Sequence, residues 1–162
     1  MRVFLAVFFV IAGTAAGLAQ GAKLKRREQL LSEVIRLLEN LAVQIRYRAL
    51  PLGEFFAGSV SSNGRFTERI TAHINSGVNW RGAWSEAVCD FAELDDGDRE
   101  ILAEVGSCLG GSDAAGQISM LELNKELLTA RLKEATADSA KKAAMYRSVG
   151  LLSGLAIGIM VL

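Results

Sequence analysis

The sequence predicts an all-α protein, a helical bundle of about six helices carried on N- and C-terminal transmembrane helices. Two observations carry the fold class. Apolar residues recur at helical spacing along most of the chain while no segment alternates at the two-residue period of a strand. Both ends of the chain are uninterrupted apolar stretches flanked by bases.

The first stretch, Val3 to Ala22, runs 20 residues without a charge. At about 1.5 Å rise per residue it spans roughly 30 Å, the thickness of a bilayer's hydrocarbon core. Lys23, Lys25, Arg26 and Arg27 follow directly and resist translocation, so they hold that end on the cytoplasmic side. The competing reading is a cleaved secretory signal, with Val3 to Ala16 as its apolar region and Gly17-Leu18-Ala19 as a small-x-small cleavage site. Four bases just beyond the cut oppose export.

From Lys23 to Arg48 the chain reads as a helix whose seam is Leu31, Val34, Leu38, Leu41 and Ile45, spaced 3, 4, 3, 4. Nothing breaks it after Gly21, so the first helix is expected to pass from membrane into domain. Pro51 stops it, because the residue before a proline avoids helical geometry, and Pro51 then suits the first turn of a short helix to Phe56. Gly58 to Arg65 is rich in Gly, Ser and Asn and reads as an exposed loop. Phe66, Ile70 and Ile74 mark a third helix, ended at Asn75-Ser76-Gly77. Trp80, Trp84, Val88 and Phe91 mark a fourth, with Trp84 read as core. Ile101, Leu102, Val105, Cys108 and Leu109 mark a fifth.

Asp95-Asp96-Gly97-Asp98 precedes the fifth helix. It lacks the spacing of a calcium loop and reads as a helix cap. Gly110-Gly111 ends that helix, and Ser112-Asp113 caps a sixth with Ile118, Leu121, Leu128, Leu132 and Ala135 inward. Nothing interrupts it before the closing apolar stretch, Val149 to Leu162. Those 14 residues reach only about 21 Å, but Arg147 can snorkel and extend the insertable segment. The expected domains are therefore 1–22, an N-terminal transmembrane helix; 23–147, a cytoplasmic helical domain; and 148–162, a short C-terminal transmembrane helix.

The formal net charge of zero hides a segregation. All 18 acids lie between Glu28 and Asp138 beside only ten bases, leaving that region near minus eight, while seven bases flank the membrane stretches. An acidic domain excludes nucleic acid as a partner, since phosphates require a basic face. His73 is the only histidine, and Cys89 and Cys108 match no metal or redox spacing and read as buried free thiols. No metal, cofactor or catalytic constellation is expected, and the protein reads as not an enzyme.

Leu38, Leu41, Ile45, Tyr47, Pro51, Leu52 and Glu54, then Trp84, then Gly106, Leu109, Gly110, Asp113 and Gln117, then Tyr146, Arg147, Gly150 and Gly154 resemble the pattern of the stage III sporulation protein AB family. The likeness covers essentially the whole chain. It implies a component of the channel that joins mother cell and forespore in endospore-forming bacteria. It also implies a helical domain similar to the cytoplasmic domains of type II secretion F platform proteins. The partners implied are the membrane, a secretion-type ATPase (stage III sporulation protein AA) and other channel subunits, with self-association left open. The place implied is the cell membrane, spanned twice, with the domain in the mother-cell cytoplasm. Gly53 and Arg48-Ala49-Leu50 depart from the pattern around Pro51. The other reading is a membrane-tethered helical regulator or sensor unrelated to secretion.

The residues singled out as partner-binding or structural are Tyr47, Pro51, Leu52, Glu54, Trp84, Asp95, Asp96, Asp98, Gly110, Asp113 and Gln117. Glu54 is expected to pair with Arg46 or Arg48 or to touch a partner. The acids from Glu86 to Glu104 form the expected docking surface for a basic partner. Gly13, Gly17 and Gly21, with Gly150, Gly154 and Gly158, put two successive G-x-x-x-G steps on each terminal helix and predict their close antiparallel packing.

Overall fold

The computed structural model describes the backbone of residues 2–47, 54–56 and 64–161, and the side chains of 21–47, 54–56, 64–142 and 145. All the regular structure among these residues is helical. In chain order the helices are α1 (Arg2–Tyr47), α2 (Arg65–Asn75), α3 (Trp80–Asp90), α4 (Asp96–Cys108) and α5 (Ala114–Val161). A helical turn at 54–56 stands where the Pro51 helix is expected; Pro51, Leu52 and Gly53 lie outside the described residues. So does most of the Gly58 to Arg65 loop, whose last residue already begins α2.

The two long helices are continuous, as the absence of interior breakers requires. α1 has 46 residues and α5 has 48. The chain divides into two compact units. One joins Met1–Arg26 with Glu134–Leu162, and the other is Arg27–Lys133. Among the described residues no helix is long and apolar enough to cross a membrane. The apolar stretches 3–22 and 149–162, apart from Gly21 and Ala22, fall where side chains lie outside those residues.

The core of the Arg27–Lys133 unit forms where the helical stripes converge. Leu31, Val34, Leu38 and Leu41 are buried as the seam predicts, joined by Leu30 and Leu37, while Ile45 is half-buried. Phe66 and Ile70 of α2, Trp84 and Val88 of α3, Leu102 and Val105 of α4, and Leu121 and Leu128 of α5 complete it. Each such side chain removed from water stabilises the fold by about 1.5–3 kcal/mol. At its centre the Trp84 ring meets Phe66 edge-on at 5.1 Å and Phe56 at 6.2 Å. The Trp84 Nε1–H donates to the Leu102 carbonyl at 2.7 Å, so the indole's only polar atom is satisfied inside the core. Gly106 permits this approach, since a Cβ there would overlap the indole ring.

Helix starts are set by caps. Asn79 accepts the Gly82 N–H at 2.8 Å. At α2 the N-cap, Gly64, has no side chain to offer, and Glu33 of α1 supplies the missing acceptor, taking the Phe66 N–H at 2.6 Å. The Phe66 backbone is thereby tied to α1 across the core.

The cysteines depart from expectation. Both Cys89 and Cys108 are exposed rather than buried. On α3 the inward stripe is Ala83, Trp84, Ala87 and Val88, which turns Cys89 outward by one helical step; Cys108 stands in the same relation to Val105 and Leu109.

Candidate functional site

Eight acids and one base, Arg99, lie between Glu86 and Glu104, and their surroundings sort them into two classes. Five of the eight meet a basic side chain within the chain. His73 of α2 has Nδ1 2.8 Å from Glu86 and Nε2 2.9 Å from Asp90, so both ring nitrogens meet carboxylates of α3. Arg69 stands 3.7 Å from Asp90, and Arg65 is 2.8 Å from Glu93.

Asp98 is buried and belongs to no exposed surface, while Asp95 beside it is exposed. They form a reciprocal capping box at the start of α4, Asp98 N–H donating to Asp95 at 2.9 Å and Asp95 N–H to Asp98 at 3.2 Å. The Asp98 side chain is 0% exposed and Arg27 of α1 grips it from 2.6 Å, its Nη2 also reaching Asp95 at 2.6 Å. Arg131 of α5 approaches both carboxylates, at 3.4 and 3.7 Å. Burial pushes the Asp95 carboxyl up, but the Asp98 N–H and the Arg27 and Arg131 guanidiniums outweigh it and hold the group below its ordinary 3.8. The expected capping role is therefore met. For Asp98 the expected surface role is replaced by a buried ion pair joining α1, α4 and α5.

The lone base of the run also turns inward. Arg99 donates to the Val88 carbonyl at 3.1 Å and the Phe91 carbonyl at 2.7 Å, satisfying the C-terminal end of α3.

Three acids remain, Asp96, Glu100 and Glu104. They are exposed, stand at i, i+4 and i+8 on one face of α4, and make no ion pair among the described residues. Like charges at this spacing cost a helix about 0.2–0.5 kcal/mol per pair, and the helix N-terminus favours only Asp96, which stands in the first turn.

The loop after α4 fixes what lies beside it. Gly110 takes φ +75°, a conformation that favours glycine. Gln117 clamps the turn, its Oε1 accepting the Gly110 N–H at 3.1 Å and its Nε2 donating to the Ser112 carbonyl at 2.7 Å. Asp113 caps α5 by accepting the Gly116 N–H at 3.1 Å, as its position predicts. With residue 110 facing 117, and Asp95 facing Arg131, α4 and α5 form an antiparallel hairpin. That register sets Glu104 level with Leu123 and Glu100 level with Leu127. These leucines are 55% and 43% exposed. An exposed apolar pair on α5 thus lies at the height of the acidic stripe on α4.

Of the other singled-out residues, Trp84 is core, and Tyr47 is 75% exposed at the end of α1. Glu54 is exposed on its helical turn. Arg46 does not pair with Glu54; it lies 3.6 Å from Glu122, because α5 runs alongside this part of α1. Arg48 lies outside the described residues. Gly21 has open space where a Cβ would stand, and the surroundings of Gly13, Gly17, Gly150, Gly154 and Gly158 lie outside the described residues. Reading the sequence did not single out Leu123 and Leu127, although the i, i+4 leucine pair beside the inward Leu121/Leu128 stripe is a usable signal, and it takes Arg27 for a membrane-flanking base, whereas the structure turns Arg27 into the domain against Asp98. Among the described residues no group of three or more His, Cys, Asp or Glu side chains could hold a metal ion.

The chain matches the family model described as Stage III sporulation protein AB (spore_III_AB) over residues 2–162. It belongs to the stage III sporulation protein AB family. A curated relative, Stage III sporulation protein AB of Bacillus subtilis (strain 168), is 26% identical over 166 residues, covering 96% of this chain and 95% of its own. No solved structure matches the chain significantly. Family membership gives the chain a sporulation-related role.

Proposed function

We propose that this chain is a non-catalytic membrane platform component of a secretion-like channel between mother cell and forespore. Its helical domain stands in the mother-cell cytoplasm and recruits a cytoplasmic ATPase, for which the family resemblance points to stage III sporulation protein AA. The observation that carries the reading is the face on the α4–α5 hairpin. Three acids with no ion pair among the described residues, Asp96, Glu100 and Glu104, stand level with two exposed leucines. A basic partner with an apolar ridge fits such a face, charge steering the encounter and the leucines supplying buried area. Membrane attachment rests on the uncharged stretch Val3 to Ala22, and the orientation on the seven flanking bases.

The test uses the detergent-solubilised full chain and the purified ATPase. Glu100→Lys with Glu104→Lys is expected to slow association, and raised salt is expected to mimic it. Leu123→Ser with Leu127→Ser is expected to speed dissociation. Binding unchanged by either pair and insensitive to salt removes this face. Failure to bind any form of the chain favours instead a tethered regulator or sensor.

A further inference from the structure

The α2–α3 hairpin is closed by a ladder of ion pairs. Arg65, Arg69 and His73 stand at i, i+4 and i+8 on α2, and they meet Glu93, Asp90 and Glu86 in antiparallel order. Two rungs hold an arginine, which keeps its charge at any pH the fold survives. The third holds His73, the only histidine in the chain. This rung lies at the turn, where the His73 carbonyl accepts the Ser76 and Val78 N–H groups at 3.1 and 3.2 Å.

His73 Nδ1 is 2.8 Å from Glu86 Oε2, and Nε2 is 2.9 Å from Asp90 Oδ2. A carboxylate only accepts and a neutral imidazole carries one proton, so the neutral ring serves one of these contacts and turns a bare lone pair on the other. Only the doubly protonated ring donates to both. Its place in the last turn of α2 adds the preference of a helix C-terminus for a cation. The charged groups facing the ring are Glu86 and Asp90 of α3; on α2 itself, Arg69 stands 3.7 Å from the same Asp90.

We propose that His73 is a proton-operated clasp between α2 and α3, closed on both carboxylates when the ring is doubly protonated and open at Glu86 when it is neutral. Glu86 is the one released, because Asp90 keeps Arg69 as a second cation and is the less exposed carboxylate, 34% against 52%. Histidine is the side chain whose ordinary charge change falls between about pH 5 and 8, and the chain has one. The ring's charge therefore adds stability that is present in mild acid and is lost as pH rises through the range where histidine gives up its proton. The arginine rungs persist throughout, so the opening is confined to the turn end of the hairpin, next to Trp80 at the start of α3. It removes a positive charge and frees a carboxylate, making the α2–α3 surface more acidic without unfolding the domain.

The test is thermal unfolding of the full chain in detergent from about pH 5.5 to 7.5, above the range in which the lowered Asp95 carboxyl titrates. His73→Gln keeps an amide donor and carries no charge. The variant is expected to melt about 2–5 °C below the parent at the acid end, with the gap narrowing to less than half at the other end. In a Glu86→Gln, Asp90→Asn background, His73→Gln is expected to have the same effect at both ends. The carboxyl carbon signal of Glu86 in NMR is expected to shift across this range in the parent and to stand still in His73→Gln. A gap that does not change with pH overturns the clasp and leaves the ring a packing role. A Glu86 signal that stands still in the parent overturns it as well, and that measurement decides even where His73→Gln fails to fold.

Discussion

Arg27 holds Asp98 through two parallel hydrogen bonds, Nε to Oδ2 at 2.6 Å and Nη2 to Oδ1 at 2.9 Å, across 71 residues of chain. Asp98 is fully buried while Arg27 is 12% exposed, so the pair has little water to fall back on. Removing Arg27 leaves Asp98 only the more distant Arg131 at 3.7 Å and the Asp95 N–H at 3.2 Å. Arg27→Met is therefore expected to destabilise the domain by about 3–5 kcal/mol. Arg27→Met with Asp98→Leu is expected to cost less than Arg27→Met alone, since no buried charge is left unpaired. Thermal unfolding of the full chain in detergent checks both, and equal losses in the single and double variants would mean that Asp98 finds adequate solvation without Arg27.

The neighbouring acid gives a pH dependence of known sign. The Asp95 carboxyl is held below its ordinary value, against burial, by the Asp98 N–H, Arg27 and Arg131. Its charge thus contributes stability that is present above the ordinary carboxylate value and is lost as pH falls through the lower folded one. The side chain is 44% exposed, so solvent screening keeps the contribution under about 1 kcal/mol. Asp95→Asn keeps an oxygen to accept the Asp98 N–H while deleting the charge. The variant is expected to be slightly less stable than the parent at neutral pH and equal to it in acid. A gap that persists unchanged into acid would assign the loss to geometry instead.

Why the docking acids were misassigned in part follows from what periodicity reports. Spacing identified the seam Leu31/Val34/Leu38/Leu41, the Trp84 stripe and the caps at Asp95 and Asp113, because each depends on neighbours within a few residues. It could not show that Arg27, 71 residues before Asp98, closes over that carboxylate, or that Glu33 caps Phe66 from α1. Charge counts treat Asp96 and Asp98 alike. Only the packing of α1 and α5 against the start of α4 separates an exposed acid from a buried one. The cysteines went astray for a related reason, since one helical step of rotation, invisible in a short stripe, decides burial against exposure.

Gly106 tests the Trp84 contact. A methyl group there would overlap the indole, whose Nε1–H bonds the Leu102 carbonyl at 2.7 Å. Two effects oppose each other. Alanine improves helix propensity by about 0.8–1 kcal/mol over glycine, while forcing an extra methyl into a packed core costs about 1–3 kcal/mol. The indole is rigid and 1% exposed, so overpacking wins and Gly106→Ala is expected to lower stability by about 1–2 kcal/mol. Tryptophan fluorescence is expected to shift as the ring is displaced. A stabilised variant with unchanged fluorescence would show that the contact relaxes freely.

The last prediction concerns the two ends of the chain. Residues 1–26 and 134–162 fall in one compact unit, and each carries glycines at four-residue spacing, Gly13, Gly17 and Gly21 against Gly150, Gly154 and Gly158. In the proposed topology, with the domain in the cytoplasm, the first helix would enter it after Gly21 and the second would leave it after Arg147. Corresponding depths then set Gly21 opposite Gly150, Gly17 opposite Gly154 and Gly13 opposite Gly158. In lipid, where no hydrophobic drive joins helices, small residues permit the close backbone approach that holds them together. Gly17 and Gly154 are the middle positions of the two stripes, so the crossing is tested there. Gly17→Leu or Gly154→Leu is expected to separate the pair without preventing insertion. Cysteines introduced at 17 and 154, with Cys89 and Cys108 replaced by Ser because both are exposed, are expected to crosslink within one chain in membranes. Crosslinks solely between chains would assign the glycine stripes to another subunit, and none at all would leave them without a packing role.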